Sequence, residues 1–128
     1  MFRRVLFVAS PIALTAVMAA CSSSTPPPSG GVGGTGNVIN VQAADFRFDP
    51  STITTAAGKV TFHVKNAGAN EYEFEIFRAD QAVAEIEGLV PGLEKDLTVE
   101  LPAGDYRIEC RLPGHLEQGM KGTLTVTQ

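Results

Sequence analysis

From Val38 onward, apolar and polar residues alternate in short runs that turn-forming residues separate. This period-two pattern is typical of strands with one buried and one exposed face, and it predicts antiparallel sheets. Seven or eight short strands at a spacing of about ten residues predict an all-β Greek-key sandwich or barrel. The apolar positions expected to line its core are Ile39, Val41, Phe46, Phe48, Val60, Phe62, Val64, Tyr72, Phe74, Ile76, Leu97, Val99, Leu101, Tyr106, Ile108, Leu124 and Val126.

One strand carries a weaker signal than the others. Residues Ala82–Ile86 predict a short strand, and the run from Gly88 to Gly92 predicts a loop after it. The segment from Pro102 to Asp105 predicts a turn. No stretch from Val38 onward shows a convincing helical period, so the prediction stays all-β.

The first 37 residues do not follow the alternation. Residues 1–20 combine a positive start, an apolar stretch and small residues at the end, which is typical of a signal peptide and short for a membrane span. Residues 21–37 are rich in Ser, Pro and Gly and predict a disordered linker. We therefore expect a signal peptide (1–20), a linker (21–37) and one folded domain (38–128).

The run Val17-Met18-Ala19-Ala20-Cys21 resembles the lipobox of bacterial lipoproteins. The resemblance implies cleavage before Cys21 and lipidation of its thiol; the alternative is an ordinary secretory signal with a chance cysteine. Acyl chains on Cys21 would anchor the protein at the cell membrane, outside the cytoplasm. Cys110 would then have no partner for an intramolecular disulfide, and metal ligation becomes the leading use for its thiol.

Net charge excludes one class of partner. The chain carries a formal charge of −4, and removal of residues 1–20, with two arginines and no acid, changes it to −6. Nucleic-acid phosphates would repel such a protein. Since no catalytic constellation or phosphate-binding loop stands out, we also expect that the protein is not an enzyme.

One loop near the C-terminus concentrates the candidate chemistry. Cys110, His115 and Met120 follow the spacing C-x4-H-x4-M, with Pro and Gly residues between them that allow the chain to bend. Thiolate, imidazole and thioether are soft or borderline donors that suit copper. The alternatives are a buried apolar cysteine, a histidine bonded to a backbone carbonyl and a methionine that fills the core.

Several sequence runs in the folded part match the pattern of a known family. They are Phe46-x-Phe48-x-Pro50-x-x-Ile53, Gly58-Lys59-Val60-x-Phe62, Asn66-x-Gly68, and Cys110…Pro113-Gly114-His115…Gly119-Met120-x-Gly122. Together they resemble the cupredoxin family, which implies a cupredoxin-like sandwich with copper held by Cys110, His115 and a weak axial Met120. The family's other histidine ligand has no counterpart, because strand parity puts Tyr72 in its slot. The remaining histidine, His63, is predicted to point to the opposite strand face.

A second resemblance concerns the strand that carries Tyr72. The runs Glu73-Phe74-Glu75-Ile76, Pro91-Gly92 and Pro102-Ala103-Gly104-Asp105-Tyr106 resemble the cupredoxin domain of EfeO-type iron-uptake lipoproteins. This implies handling of copper or iron outside the cytoplasm. The large helical domain of full-length EfeO has no counterpart in this sequence, and His115 and Met120 are more typical of blue-copper proteins.

Carboxylates are candidates for a further ligand. Glu73 or Glu71 could supply one, which would shift the preference of the site toward Cu(II) or iron. The alternative for both residues and for Glu75 is a solvated strand face, where acidic side chains usually lie.

Three functional hypotheses follow. The first is a lipid-anchored protein that binds copper, or iron, for storage, delivery or uptake and works with a metal-uptake or redox partner. The second is a copper electron carrier, and the third is a partner-docking domain with an empty site. The missing histidine favours the first over the second. We therefore expect copper binding through Cys110 and His115 without the strong visible absorption of a blue-copper thiolate site.

Overall fold

The computed structural model describes residues 36–128, which form nine β-strands. The predicted signal peptide, Cys21 and most of the predicted linker lie outside the described residues. Among residues 36–128 there is no helix long and apolar enough to cross a membrane. The strands are β1 (Asn37–Ala44), β2 (Arg47–Asp49), β3 (Thr52–Ala56), β4 (Gly58–Asn66), β5 (Tyr72–Arg78), β6 (Gln81–Leu89), β7 (Glu94–Leu101), β8 (Gly104–Glu109) and β9 (Lys121–Thr127).

The strands form two sheets that pack as a sandwich, which confirms the predicted fold class. One sheet has the order β2-β1-β4-β7 and the other the order β3-β9-β8-β5-β6. The prediction of purely antiparallel pairing was wrong, because β1 pairs with β4 and β3 pairs with β9 in parallel. The alternation of apolar and polar residues indicates that one face of a strand is buried. It carries no information on the direction of the neighbouring strand.

Strand boundaries differ from the prediction in several places, including the predicted turn Pro102–Asp105, whose last two residues belong to β8. Asp45 and Phe46 have positive φ angles of 48° and 57°, so the chain bends sharply between β1 and β2 and the strand count rises to nine. Gly88 and Leu89 belong to β6 and not to the predicted loop, since β6 runs to Leu89 opposite Tyr72 of β5.

The core lies between the two sheets. In β4 the alternate residues Val60, Phe62 and Val64 are fully buried, while their neighbours face outward. Removing such side chains from water is the main stabilising contribution in a sandwich of this size. Predicted core residues that are only partly buried against this cluster are Ile39, Phe46, Leu97 and Val99.

Four loops gather at one end of the sandwich, called here the loop end. They comprise residues 45–46, 67–71, 90–93 and 110–120. Backbone hydrogen bonds join the end of β4 to one of these loops, from Asn66 N–H to Leu93 O (2.9 Å) and from Gly92 N–H to Asn66 O (2.9 Å). Because β8 pairs with β5 in antiparallel orientation, the predicted copper loop that follows β8 lies beside the turn that leads into β5.

Candidate metal centre

The loop of residues 110–120 is closed at its base by the strands that flank it. Antiparallel pairing of β8 with β9 reaches Glu109 and Lys121, and the next residues continue it through a bond from Cys110 N–H to Met120 O (3.2 Å). Cys110 and Met120 are therefore opposite each other, and both are fully buried. The loop folds back further through a bond from Met120 N–H to His115 O (3.1 Å).

This folding brings two of the predicted ligands together. Cys110 Sγ and His115 Nδ1 are 3.4 Å apart. A tetrahedral ion at typical distances of about 2.3 Å from sulfur and about 2.0 Å from nitrogen would separate these atoms by roughly 3.5 Å. The pair thus fits a single bound ion with little movement.

The surroundings of Cys110 favour a neutral thiol when no metal is bound. Burial raises the pKa of Cys110, and the nearby carboxylates of Glu73 and Glu75 raise it further. Backbone N–H groups of Glu73 and Leu112 act in the opposite direction, and the Glu73 N–H lies 3.3 Å from Sγ. Metal binding therefore has to displace a proton, while the same N–H groups are placed to stabilise the thiolate that results.

Aromatic rings hold the imidazole of His115. The ring of Phe46 packs edge-on at a centroid distance of 4.9 Å, and the ring of Tyr72 packs at 5.5 Å. These contacts leave Nδ1 facing the sulfur of Cys110. Sequence patterning identified Phe46 only as a core residue, because its contact with the loop depends on the bend at residues 45–46.

Tyr72 is the first residue of β5 and is fully buried. Its hydroxyl group has no hydrogen-bond partner in the described part of the chain. The ring ends against Gly68, where an added Cβ would lie 2.9 Å from the hydroxyl oxygen and 3.1 Å from Ala44 Cα. Residue 68 therefore has no space for a side chain while Tyr72 is present.

Asn66 fixes the turn that leads into β5. Its buried amide donates to Asn70 O (2.6 Å) and Leu89 O (2.7 Å), and its Oδ1 accepts from Gly68 N–H (2.9 Å). The side chain thus ties the turn to the end of β6. Sequence reasoning treated Asn66 as a chain break; the Asn-x-Gly turn signal was present, but the bond to β6 is a tertiary feature.

The predicted carboxylate ligands lie outside this pair. Glu71 is exposed before β5, and Glu73 is half-buried on the strand. Between residues 36 and 128, no three His, Cys, Asp or Glu side chains converge in a way that could hold a metal ion. The structure therefore brings Cys110 and His115 together without placing either glutamate in such a group with them.

The outer face of β5 carries a row of acidic residues. Glu75 pairs in register with Glu85 of β6 on one side and Glu109 of β8 on the other. Burial raises the pKa of Glu75, and the charges of Glu73 and Glu85 add to the rise. Glu109 is compensated by ion pairs with Arg111 at 2.8 Å and Arg107 at 3.2 Å, so the acidic row is neutralised at its β8 end.

His63 lies outside the candidate centre and interacts with carboxylates. It is on the outward face of β4, with a side chain that is 39% exposed, and it bonds Asp96 through Nδ1 and lies 3.5 Å from Glu94 through Nε2. The hydrogen bond to Asp96 is the main cause that raises the pKa of His63. Two carboxylates thus occupy both nitrogens of this imidazole.

The sequence of this chain is similar to a known domain family and to part of a known protein. A family model described as a cupredoxin-like domain matches residues 11–126. The iron uptake system component EfeO of Escherichia coli strain K12 is 34% identical over 74 residues, which cover 58% of this chain and 20% of that protein. The EfeO of Shigella flexneri matches to the same extent. The chain thus spans about a fifth of the length of the curated relatives that it matches.

Solved structures share the fold. Reduced auracyanin from Roseiflexus castenholzii has a TM-score of 0.66 at 21% identity, covering 72% of this chain and 98% of that one. Auracyanin A of Chloroflexus aurantiacus, described as a blue copper protein, has a TM-score of 0.63 at 22% identity, covering 72% and 99%. At these identities the likeness shows the architecture alone.

Proposed function

The chain belongs to the cupredoxin-like domain family and is related to part of EfeO, and from this premise we propose that it binds a metal ion at Cys110 and His115. The ion is copper, with iron as the alternative. The single observation that carries this proposal is the distance of 3.4 Å between Cys110 Sγ and His115 Nδ1. A buried thiol and an imidazole held by aromatic rings form a soft to borderline donor pair, which favours copper.

Each residue of the centre has a role in this proposal. Cys110 gives up its proton and binds as thiolate, and the N–H of Glu73 stabilises the charge. His115 binds through Nδ1 in an orientation that Phe46 fixes. Met120, buried at the base of the loop, is the proposed third donor through its thioether. Copper bound there would be a cargo to store or deliver.

A carboxylate ligand would change the metal preference. If Glu73 or Glu71 joined the pair after a side-chain movement, the harder oxygen donor would favour Cu(II) or iron. The relation to an iron uptake component keeps iron as the alternative. We propose copper ahead of iron because the two donor atoms that already lie close together are sulfur and nitrogen.

We also propose where the protein works. Lipidation of Cys21 would anchor it to the bacterial cell membrane, outside the cytoplasm, with a metal-uptake or redox protein as partner and no catalytic role of its own. A test is incorporation of labelled palmitate in cells that express the full chain. Label is expected in the wild type and not in Cys21→Ala, and equal labelling of both would reject the anchor.

Metal binding is tested by anaerobic titration of the full chain with Cu(I), Cu(II) and Fe(III). Cys110→Ser should lower the affinity for Cu(I) by about a hundredfold or more, because loss of a ligand exceeds the 10–100-fold effect of its outer partners. Cys21→Ser is the matched control, since it removes the other thiol and should leave this affinity unchanged. Equal affinity of Cys110→Ser and the wild type would instead favour a docking domain without a metal.

A further inference from the structure

We propose that Tyr72 makes the centre selective for Cu(I), because its ring fills the space in which a third strong donor would have to lie. This inference rests on the proposed function, since it concerns the ion bound by Cys110 and His115. It goes further by naming the residue that sets the oxidation state of that ion.

Tyr72 lies beside both donors. The N–H group of the next residue, Glu73, is bonded to Cys110 Sγ at 3.3 Å. The ring of Tyr72 contacts the ring of His115 at a centroid distance of 5.5 Å and an interplanar angle of 64°. A side chain at position 72 therefore leaves the backbone next to the sulfur and meets the imidazole.

The polar end of Tyr72 does not face these donors. Its hydroxyl group lies against Gly68 and forms no hydrogen bond with Cys110, His115 or any other group of the described residues. The part of Tyr72 that meets His115 is the aromatic ring, which has no lone pair to offer a metal. The ring also excludes water from this side, since Tyr72 is fully buried.

This arrangement suits the ion of lower charge. Cu(I) is soft and is satisfied by thiolate, thioether and imidazole, whereas the known trigonal Cu(II) sites of proteins use two histidines and one cysteine. Cu(I) with one thiolate is electrically neutral. Cu(II) with the same thiolate would leave a net positive charge in buried surroundings, which is costly without further polar groups.

The test exchanges Tyr72 for two residues and titrates the full-length proteins anaerobically with Cu(I) and Cu(II). Tyr72→His supplies an imidazole from the same backbone position and completes a set of two histidines and one cysteine. It should raise the affinity for Cu(II) by about tenfold or more. It should also produce the intense visible absorption of a blue-copper thiolate site, which the wild type should lack.

Tyr72→Phe removes only the hydroxyl group. Because that group is not a ligand in our proposal, the Cu(I) affinity should stay within about threefold of the wild type, well inside the effect of a lost ligand. Tyr106→His is the matched control for the replacement of a buried tyrosine by histidine. Tyr106 is also buried, but its hydroxyl donates to Pro102 O (2.7 Å) at the end of β8 away from Cys110, so no blue absorption should appear.

Three results would overturn the inference: blue absorption in the wild type with Cu(II), a large loss of Cu(I) affinity in Tyr72→Phe, or a folded Tyr72→His without gain for Cu(II). Circular dichroism checks the folding of each variant, and the first two results do not depend on Tyr72→His. Failure of the proposed function is distinct, because then neither the wild type nor any Tyr72 variant would bind Cu(I).

Discussion

The two histidines of this chain show how differently one residue type is used at two places in the same sandwich. His63 stands on the exposed face of β4, with Asp96 and Glu94 at its two ring nitrogens. His115 stands in a loop, with a thiol at Nδ1 and aromatic rings around it. The neighbouring groups therefore determine what each imidazole can do. The imidazole of His63 interacts with carboxylate charges, whereas the imidazole of His115 is available to a soft metal ion.

The sharpest way to break this comparison is to delete each imidazole in turn. His115→Ala should lower Cu(I) affinity by about a hundredfold or more, since it removes a ligand, while His63→Ala should leave it unchanged. The measurement is competition with a Cu(I) chelator under anaerobic conditions. If both variants bound copper like the wild type, or if His63→Ala bound it more weakly, the contrast between the two sites would be wrong.

The second test compares two adjacent residues of β4. Asn66→Ala removes three hydrogen bonds to backbone groups of Gly68, Asn70 and Leu89, the last of them buried, so the free energy of unfolding should fall by about 2 kcal/mol or more. Lys65→Ala removes an exposed ion pair with Glu94 and should change it by less than about 1 kcal/mol. Urea unfolding of the metal-free proteins measures both. Similar losses of unfolding free energy in the two variants would show that the hydrogen bonds of Asn66 at the loop end stabilise the fold no more than an exposed ion pair does.

The smallest effect concerns pH. Asp96 raises the pKa of His63 in the folded protein, so the protonated imidazole stabilises the fold. This contribution is fully present below the ordinary histidine pKa of about 6.5 and is lost as pH rises through the higher folded value. The thermal midpoint of the wild type should therefore exceed that of His63→Gln in acid, with a difference that declines above that pH. A constant difference across the range would contradict this assignment.

The sequence predicted features that depend on alternation. Val60, Phe62 and Val64 point inward and His63 points outward because neighbouring residues of a strand face opposite sides. Parallel pairing of β1 with β4 was not predictable in this way, since both directions of pairing produce the same alternation. The bend at Asp45 and Phe46 was missed for a similar reason, because positive φ at ordinary residues has no pattern in the sequence.

The candidate centre was predictable only in part. The spacing of Cys110, His115 and Met120 named the loop, but the contact of 3.4 Å between sulfur and nitrogen depends on hydrogen bonds within the folded loop. The position of Tyr72 followed from strand parity. Its hydroxyl group has no hydrogen-bond partner within residues 36–128 and contacts Gly68, and both are tertiary features that a local pattern does not contain.

The backbone hydrogen bond from Cys110 N–H to Met120 O makes the loop the tip of a hairpin. Its two ends are held in register by β8 and β9. Residues 111–119 therefore start and end at a fixed spacing, so a replacement segment would join the two strands in the same register. An engineer who wished to change the chemistry of this domain would keep these two attachment points and would match the contacts that the loop makes with Phe46 and Tyr72.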